Sequence, residues 1–369
     1  MHESQAPTHE NWTPPHCPNS NCKYHCHLPR GWRFRRMGYY WRKIKPHKIP
    51  RCQCSHCGRT FSSQTFSVTY WLKRPELLAQ IFKNSVNGMA NRQIARALDC
   101  APAAVDDLLA RLARHCCLFQ LQMTRDASPP VDTAIDGLVS FEHSQYFPFE
   151  HLVMVDRDTS FFVYFTDAPL RRSGRMTERQ KRKREQLEQR LGRPDPKAVE
   201  QAVDELLAVG LAGAKKAVVW SDMHKAYPRA VRKQPTEIDH RRISSKALRD
   251  SRNPLFEINS LDGFVRHSQA NHRRETIAFS KRRQGSADRL LVFMAWKNFA
   301  KRRWEKRCRQ TPAMLRGIVD RLMSVEEILT ERLFPTLVEI PPRWADYYWR
   351  RVKTPVVGRN RKHELKYAV

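Results

Sequence analysis

Two short-spaced cysteine pairs near the N-terminus constrain the fold of this chain most strongly. Cys17 and Cys22 form a C-x4-C pair, and Cys54 and Cys57 form a C-x2-C pair within RCQCSHCGRTFS. Structural zinc takes four tetrahedral thiolate or imidazole ligands, and two such pairs on turns supply them without a large core. The spacing therefore predicts a zinc ribbon, in which Gly58 permits the turn that aims the second pair at the ion.

Other metal-binding side chains nearby leave the ligand set open. Six of the ten cysteines lie within the first 57 residues, among several histidines. Such a density is typical of a metal site, because disulfides are rare in the reducing compartments where we expect this chain to act. We take the two cysteine pairs as the ligands of Zn²⁺. The alternative ligands are Cys26, Cys52, His16, His25 and His27.

The segment between the two pairs, GWRFRRMGYYWRKIKPHKIPR, alternates aromatic with basic side chains. This interleaving suits a hairpin that stacks on bases or follows phosphates. It is equally compatible with a hairpin whose aromatic side chains pack a miniature core. We assign residues 1–70 to a zinc ribbon that carries this basic and aromatic hairpin.

The charge of the chain indicates a polyanionic partner. Lysine and arginine number 67 against 37 acidic residues, which gives a formal net charge of +30. A nucleic acid relieves such self-repulsion, so DNA or RNA is the expected partner. A ribosome-associated protein or one that binds anionic membranes is the less favoured alternative. The sequence contains neither an apolar run of spanning length nor a signal peptide, so we expect an intracellular protein with no membrane partner.

Residues 71–125 have the apolar periodicity of three short helices, with stripes spaced at three and four residues. A tight break precedes the last helix, which we expect to begin near Pro102 because proline fits a first helical turn. This is the plan of a helix-turn-helix, whose last helix enters the major groove. Asp106 and Asp107 on that helix are unusual for a surface facing phosphates, so a helical linker or dimerisation module is the alternative.

The chain changes character after the helical segment. Residues 131–142 and 151–167 are rich in Val, Ile and aromatic residues and are predicted strands, and residues 216–222 are a predicted buried strand that runs into a loop. A basic helical insert of about residues 170–212 precedes the last of them. Strands with an interposed helix indicate a mixed α/β domain, which we place at residues 126–310.

Two aspartates stand at predicted strand ends. Asp136 lies in AIDG, and Asp222 closes VVWSD. Phosphoryl transfer with two metal ions needs carboxylates from separate strands, which hold the ions about 3.5–4 Å apart. Mg²⁺, or Mn²⁺ in its place, is the natural occupant because it prefers a few carboxylates and keeps its waters. A single strand-end aspartate is more often a turn or cap residue, so the prediction depends on the pair.

Four segments carry a resemblance to a known family. They are AIDGLVSFEHSQYFPFE, FTDAPLRRSGRMTERQKRKREQLEQRLGRPDPKAV, WSDMHKAYPRA and NHRRETIAFSKRR, and the likeness extends from CGRTF to WKNFAKR. These segments resemble insertion-sequence transposases of the DDE class. The resemblance implies a ribonuclease H-like catalytic core that cleaves DNA and transfers strands with Mg²⁺ at a triad of carboxylates. In such a core the first two acids fall on Asp136 and Asp222.

The third carboxylate is also implied by the resemblance, since family members carry it on a helix after the last core strand. Here that helix is predicted to start near Ser260, which makes Asp262 our choice. An acid in the first helical turn points back toward the strand ends, and Arg266 shares its face. The chain departs from the usual order of Glu, Asn and Arg, so Glu275 and Glu257 remain alternatives.

Two long stretches carry an excess of positive charge. RRSGRMTERQKRKREQLEQR and SKRRQGSADRLLVFMAWKNFAKRRWEKRCRQ contain far more cations than acids. Such an excess favours a phosphate track that leads into the site, with salt-sensitive binding. Residues 311–369 are predicted to form a basic, aromatic docking tail. The expected DNA contacts are Arg171, Arg172, Lys181, Arg182, Arg184, Arg266, Arg273, Arg274, Lys281, Arg282 and Arg283.

These features predict a multidomain α/β protein that acts as the DNA transposase of a mobile element. It would bind double-stranded DNA, both element ends and target, as a homodimer or larger homo-oligomer in the cytoplasm, associated with the nucleoid. The alternative is a non-catalytic zinc-ribbon DNA-binding regulator derived from a transposase. A nuclease or resolvase without strand transfer is a weaker third interpretation.

Overall fold

The computed structural model describes residues 12–244, 246–248, 250–306, 308–360 and 362. Within them the chain forms two β-sheets and eleven α-helices, which confirms the mixed α/β class. None of the helices in this described part combines the length and the apolar character that crossing a bilayer requires.

The N-terminal region contains a three-stranded antiparallel sheet. Its strands are β1 (Phe34–Trp41), β2 (Lys48–Cys54) and β3 (Thr60–Ser62), with β2 in the middle. Every residue of β1 after Phe34 is exposed, and Trp41 is 74% exposed. Most aromatic side chains of this hairpin therefore face solvent beside its basic residues. This favours an interaction surface over a miniature core.

Three helices follow the ribbon. They are α1 (Leu77–Val86), α2 (Asn91–Ala97) and α3 (Pro102–Thr124). α3 begins at Pro102, as predicted, but it extends for 23 residues and packs against the later helix α8 (Arg283–Ala295). One hydrophobic core contains residues of these helices and of the large sheet. The boundary predicted at residue 125 therefore does not separate two cores.

The exposed start of α3 carries no positive charge. Asp106 and Asp107 are both exposed there, and Asn91 of α2 donates a hydrogen bond to Asp106 at 2.6 Å. A surface with two aspartates repels phosphates, so the alternative of a helical linker is favoured for this segment over a groove-reading helix.

Five strands form the second sheet. They are β4 (Asp132–Phe141), β5 (Pro148–Asp156), β6 (Phe162–Pro169), β7 (Lys216–Ser221) and β8 (Glu237–Arg242). Their order is β6-β5-β4-β7-β8, with β4 in the middle. β4, β5 and β6 are antiparallel neighbours, whereas β7 and β8 run parallel to β4. The carboxyl end of β7 therefore lies beside the middle of β4.

The segment 151–167 is not one strand, because the chain turns back between β5 and β6. At this turn the carboxylate of Asp156 accepts hydrogen bonds from the backbone N–H of Asp158 at 3.1 Å and from the hydroxyl of Thr159 at 2.9 Å. Aspartate stabilises turns through bonds of this kind. The surrounding run of Val and aromatic residues obscured that signal in the sequence.

Four helices accompany the sheet. They are α4 (Glu178–Leu191), α5 (Ala198–Gly210), α6 (Ala226–Val231) and α7 (Phe256–Ser268). α5 packs on β5 and β6, and α7 packs on β4 and β5. α4 has no buried residue. The predicted helical insert therefore consists of one helix that belongs to the core and one charged helix in solvent.

α8 runs through the centre of the protein, with every residue from Ser286 to Ala295 buried. It continues into a π-helical turn over Trp296–Ala300. Turns of this type are rare and occur frequently at functional sites.

The described part of the predicted docking tail belongs to the core. It contains α9 (Pro312–Leu315), α10 (Val325–Ile328) and α11 (Pro342–Tyr348). Trp344 is fully buried, stacks on Tyr164 with ring centroids 4.8 Å apart, and donates its indole N–H to the carbonyl oxygen of Phe165 at 2.9 Å. The aromatic residues that suggested a docking surface are therefore core residues, because they cover β6.

A buried ion-pair network joins α11 to the sheet. The carboxylate of Asp167 on β6 lies 2.6 Å from a guanidinium nitrogen of Arg343 and 3.0 Å from one of Arg283. The hydroxyl of Tyr347 also donates to Asp167. Burial alone would raise the pKa of Asp167, but the two guanidiniums hold that pKa below its usual value.

Asp167→Ala is expected to lower the free energy of unfolding by about 3–5 kcal/mol, because two buried guanidiniums lose their counter-charge. The matched control is Asp346→Ala, which removes a surface carboxylate 3.3 Å from the same Arg343. We expect that change to cost less than about 1 kcal/mol. Urea unfolding of both variants measures the difference, and equal losses would contradict this role for Asp167.

Candidate metal centre and acidic site

Four cysteine sulfurs converge beside the small sheet. Cys17, Cys22, Cys54 and Cys57 bring their Sγ atoms within 4.8 Å of one another. The separation is 3.6 Å between Cys17 and Cys57 and 4.0 Å between Cys22 and Cys54. A tetrahedral ion with metal–sulfur bonds of about 2.3 Å separates its sulfurs by about 3.8 Å. The predicted set is therefore confirmed as a group that can bind a metal ion such as zinc.

The alternative ligands lie outside this group. His16 and His25 direct Nδ1 to the carbonyl oxygen of Cys17, at 2.9 and 2.7 Å. His27 places Nε2 at 3.1 Å from the carbonyl oxygen of Leu337. The two remaining alternatives, which are also not members of the group, are Cys26 and Cys52.

Two residues shape the second cysteine pair. Gly58 has a φ of +73°, the left-handed conformation that glycine adopts without strain. The indole N–H of Trp32 donates to Sγ of Cys54 at 3.3 Å. A donor to a thiolate ligand orients it and offsets part of its charge. Sequence reasoning missed Trp32, because an aromatic residue among basic ones gives no sign of such a contact.

Asp136 and Asp222 are neighbours across two parallel strands. The register of β4 and β7 pairs Ala134 with Trp220. Continued two residues further, this register would set Asp136 beside Asp222. Asp222 directly follows β7, as predicted, but Asp136 lies in the middle of β4 and not at a strand end, because β4 extends to Phe141. Adjacent strands lie about 4.8 Å apart, so the two carboxylates start from neighbouring backbone positions. Both side chains are partly exposed and open to solvent.

Asp262 approaches Asp136 from α7. This helix begins at Phe256 rather than near Ser260, so Asp262 lies in its second turn instead of the first. Burial, and then the charge of Asp136, raise the pKa of Asp262 to about 7, while Arg266 one turn later lowers it. The Oδ1 atom of Asp262 is buried and has no hydrogen-bond partner in the described part of the chain. A bound cation would remove the cost of that unsatisfied oxygen.

Glu150 is a fourth acid, which sequence reasoning missed. It lies on β5 opposite Val139 of β4, so its side chain projects from the same face as Gly137. Its Oε2 occupies the space that a Cβ on Gly137 would fill. Burial, and then the charges of Asp136 and Asp222, raise the pKa of Glu150 to about 7. Only the strand register could have revealed this neighbour.

The side chain of Tyr227 on α6 is influenced by all four acids. Burial raises its pKa well above the usual value, and the charges of Asp136, Asp222, Glu150 and Asp262 raise it further. The phenol is therefore close enough to all four carboxylates for their charges to act on it, although Glu150 starts from the opposite face of the β4–β5 pair to Asp136. We call these four carboxylates the acidic site.

Arg266 is the cation of α7 that faces the acidic site. Its guanidinium interacts favourably with Asp262 and Asp136, although burial lowers its pKa. It also donates to the carbonyl oxygen of His272 at 3.2 Å. One guanidinium does not balance four carboxylates, so the acidic site attracts further positive charge.

The acidic site is wider than the cysteine group. Within the described ranges, only the four cysteines form a set of three or more possible ligands whose atoms all lie within 4.8 Å. Two ions about 3.5–4 Å apart, each about 2.1 Å from its oxygens, need carboxylates spread over as much as about 8 Å. The acids of the acidic site do not form such a close set in the described part of the chain.

The two alternative third acids lie elsewhere. Glu257 accepts a hydrogen bond from the hydroxyl of Ser160 and pairs with Arg303 at 2.9 Å. Glu275 is exposed in the loop after α7, with a φ of +53°. Neither contributes to the raised pKa of Asp262. Asp262 is therefore the carboxylate of this region that the structure brings to Asp136.

The predicted DNA contacts divide by exposure. Those that are exposed are Lys181, Arg182, Arg273, Arg274 and Lys281. Those that are partly buried and bind protein groups are Arg171, Arg172, Arg184, Arg266, Arg282 and Arg283. A partly buried cation of this kind is not available to phosphates. Arg283 is an example, because Asp167 balances its charge inside the fold at 3.0 Å. The exposed cations are the ones that can reach phosphates without losing a buried partner.

Comparison of the chain with protein-family models gives no match, and comparison with curated proteins gives none either. The assignment of these residues therefore depends on the strand register, the buried carboxylates and the cysteine spacing.

Proposed function

We propose that this protein is the DNA transposase of a mobile insertion element, with a DDE-type site that cleaves DNA and transfers strands. The observation that carries the proposal is the convergence of Asp136, Asp222 and Asp262 from two adjacent strands and a covering helix. The buried Oδ1 of Asp262, which has no hydrogen-bond partner among the described residues, supports a site that a cation completes. Mg²⁺ or Mn²⁺ has the preference for carboxylate oxygens that this donor set requires.

The topology supports a ribonuclease H-like core. The first acid lies on the middle strand β4, the second follows the neighbouring parallel strand β7, and the third lies on the helix after the last strand. This is the distribution of acids that the resemblance to DDE transposases implies. The fourth acid, Glu150, is additional to that triad.

The carboxylates of the acidic site would share the work of holding the ions. Asp136 is central, because its charge acts on both Asp262 and Glu150. Asp222, next to the end of the neighbouring strand β7, would be the second ligand, and Asp262 on α7 would be the third. When bound, the two ions would activate the attacking oxygen, first water and then the freed 3′-hydroxyl, and stabilise the leaving oxygen.

Positive surfaces near the sheet support DNA as the partner. α4 carries six Lys or Arg residues against three Glu residues and buries none of them. Exposed cations on such a helix neutralise phosphates without losing contacts inside the protein. The exposed hairpin of β1 and β2 offers a second basic surface, with aromatic side chains that can stack on bases. We propose that the protein acts on DNA ends as a homodimer or larger assembly, associated with the nucleoid.

A nicking assay tests the proposal. The substrate is a plasmid that carries the DNA segments flanking the gene, and the parent protein is expected to nick it in Mg²⁺ or Mn²⁺. Asp136→Ala and Asp222→Ala are expected to bind the same DNA without nicking it. If both variants process DNA as well as the parent does, the enzyme proposal is wrong.

Two further outcomes separate the alternatives. A parent protein that binds the flanking DNA but never nicks it in either metal would support the non-catalytic regulator. A parent protein that nicks the plasmid, yet never joins a cleaved end to a second DNA, would support a nuclease or resolvase. Strand joining is therefore measured beside nicking in the same reactions.

Binding of Mg²⁺ is expected to release protons, because carboxylates must be ionised to bind metal and two of them have pKa values of about 7. At pH 6 the parent should release nearly two protons for each chain, and at pH 8.5 close to none. Calorimetry in two buffers of different ionisation enthalpy measures this number. Asp262→Asn should reduce it by about one at pH 6, and an unchanged number would contradict the role of Asp262.

A further inference from the structure

A groove of about 360 Å³ lies between α7 and the π-helical turn that follows α8. Residues of α7 spaced at three and four positions line one wall, among them Leu261, Phe264 and His267. Residues from Lys297 to Trp304 line the opposite wall. Its volume lies within the range of small-molecule sites, about 300–1,000 Å³. The groove is separate from the acidic site, since Asp262 does not line it.

Two side chains that line the groove have N–H donors with no acceptor among the described residues. Lys297 is only 7% exposed, and its ammonium donates to the carbonyl oxygen of Ser160, the one acceptor it has in the described part of the chain. An ammonium has three donors, so two remain available. The Nε atom of Arg303 is likewise buried without a partner among the described residues. Burial lowers the pKa of Lys297 to about 7, which an anion beside it would reverse.

The charge of the groove is positive. Its lining contains Lys297, Lys301, Arg302 and Arg303, and Glu257 is the single acid among the described lining residues. Glu257 is already paired with Arg303 at 2.9 Å, and Lys301 is paired with Glu305, which does not line the groove. Lys297 and Arg302 are the lining cations that form no ion pair among the described residues. An anionic group with several acceptor oxygens, such as a phosphate, matches the remaining charge and donors.

Two aromatic side chains also line the groove. Phe264 lies on the α7 wall, and Trp304 lies on the opposite wall beside the cations, with 40% of its surface exposed. Aromatic side chains beside cations are the combination that binds a nucleotide, because the base stacks on a ring while the phosphate meets the positive charge. Neither a free phosphate nor a purely apolar ligand would use both the cations and the aromatic side chains.

We propose that this groove binds one unpaired nucleotide of a DNA strand, with its phosphate at Lys297 and its base against Trp304. The proposal depends on the proposed function only for DNA as the source of the nucleotide. Leu261 and Gly263 line the groove and flank Asp262 in the same helix. A strand anchored here is therefore held by the helix that supplies the third carboxylate.

The test is calorimetric titration of the full chain with deoxyadenosine monophosphate in Mg²⁺-free buffer. Inorganic phosphate and deoxyadenosine are titrated separately, and each is expected to bind at least tenfold more weakly than the nucleotide, because phosphate meets only the cations and the nucleoside only the aromatic side chains. A single-stranded trinucleotide is expected to compete with the nucleotide, which identifies a DNA strand as the source.

Two glycines provide matched variants. A Cβ on Gly263 meets no atom of the described residues within 4 Å, and the same holds for Gly285 on α8, which lies outside the groove. Gly263→Leu should keep the helix, fill the mouth of the groove and weaken nucleotide binding at least tenfold. Gly285→Leu should leave that affinity unchanged. Lys297→Met and Arg302→Ala should each weaken binding, with folding of every variant checked by thermal unfolding.

Several outcomes would overturn the proposal. These are no binding by the parent at millimolar nucleotide, equal binding by Gly263→Leu and the parent, phosphate binding as tight as nucleotide binding, or no competition by the trinucleotide. Asp136→Ala should bind the nucleotide like the parent. If this variant binds the nucleotide but neither the parent nor any variant nicks DNA, the transposase proposal is wrong. The proposal that the groove binds a nucleotide would then still stand.

Discussion

Asp262→Asn is expected to abolish DNA nicking and, at the same time, to stabilise the metal-free protein. The nicking rate in Mg²⁺ should fall by about 10³-fold or more, because loss of a metal-binding carboxylate removes several kcal/mol of transition-state stabilisation. Asparagine keeps the shape of the side chain, so the fold is expected to persist. A gain in stability with a loss of activity is the signature of a residue retained for function.

The stabilising effect follows from the direction of the pKa shift. The pKa of Asp262 is about 7 in the folded protein, against about 4 for an aspartate in the unfolded chain. The folded state therefore binds the extra proton, and the penalty for ionisation is absent below about pH 4, grows between pH 4 and 7, and is complete above pH 7. Asp262→Asn should raise the free energy of unfolding by about 1–3 kcal/mol at pH 8 and hardly at all near pH 4.

The matched controls are the two other acids considered for the same role. Glu275→Gln should change the nicking rate less than tenfold, and Glu257→Gln, whose carboxylate lines the groove, should lose much less activity than Asp262→Asn, because neither carboxylate contributes to the raised pKa of Asp262. Nicking rates and urea unfolding at both pH values are measured for the three variants. A rate loss in Glu257→Gln that matches the loss in Asp262→Asn would assign the third acid differently.

Part of the acidic site was accessible from the sequence because Asp136 and Asp222 lie in or directly after strands that the sequence predicts. Strands rich in Val and Ile predict β4 and β7, and parallel neighbours bring Asp136 and Asp222 together once their register is known. The register itself is not encoded in a local pattern. Glu150 was therefore missed, since its approach depends on the pairing of β5 with β4 across Gly137.

The C-terminal region shows where composition misleads. Trp344, Tyr347 and Arg343 suggested an exposed docking surface, because aromatic and basic residues together are typical of interfaces. In the structure Arg343 balances the buried Asp167, and the two aromatic side chains are buried against β6. The sequence alone does not distinguish a buried arginine from an exposed one, because the distinction depends on where the partner acid lies in the fold.

The helical segment shows a related limit. The spacing of apolar residues predicts α1, α2 and the start of α3 at Pro102, but periodicity does not reveal what a helix packs against. Cys116, Cys117 and Phe119 of α3 are buried in the core shared with the large sheet. Because the C-terminal part of α3 is buried in that shared core, residues 71–125 have no separate core of their own.

Removal of one zinc ligand is expected to unfold the ribbon without unfolding the rest of the protein. The ribbon has its own small core, made of the cysteines with Phe61, Phe66 and Phe334. Metal binding contributes about 10–16 kcal/mol in small zinc domains at neutral pH, more than a core of this size provides. The large core lies in the other cluster, so its unfolding transition should remain.

Cys54→Ser should reduce zinc from about one ion for each chain to nearly none, because three remaining thiolates do not complete a tetrahedral site. Cys26→Ser is the matched control, since Cys26 is partly exposed and its Sγ donates to the carbonyl oxygen of Lys23 instead of joining the group. Zinc content is measured by atomic emission, and limited proteolysis should cut the β1–β2 hairpin in Cys54→Ser alone. If Cys26→Ser also lost zinc, the ligand set would be different. Cys54→Ser could also lose zinc while its hairpin stays protected from proteolysis. That result would show that aromatic packing, and not the metal, stabilises the ribbon and the shape of its exposed hairpin.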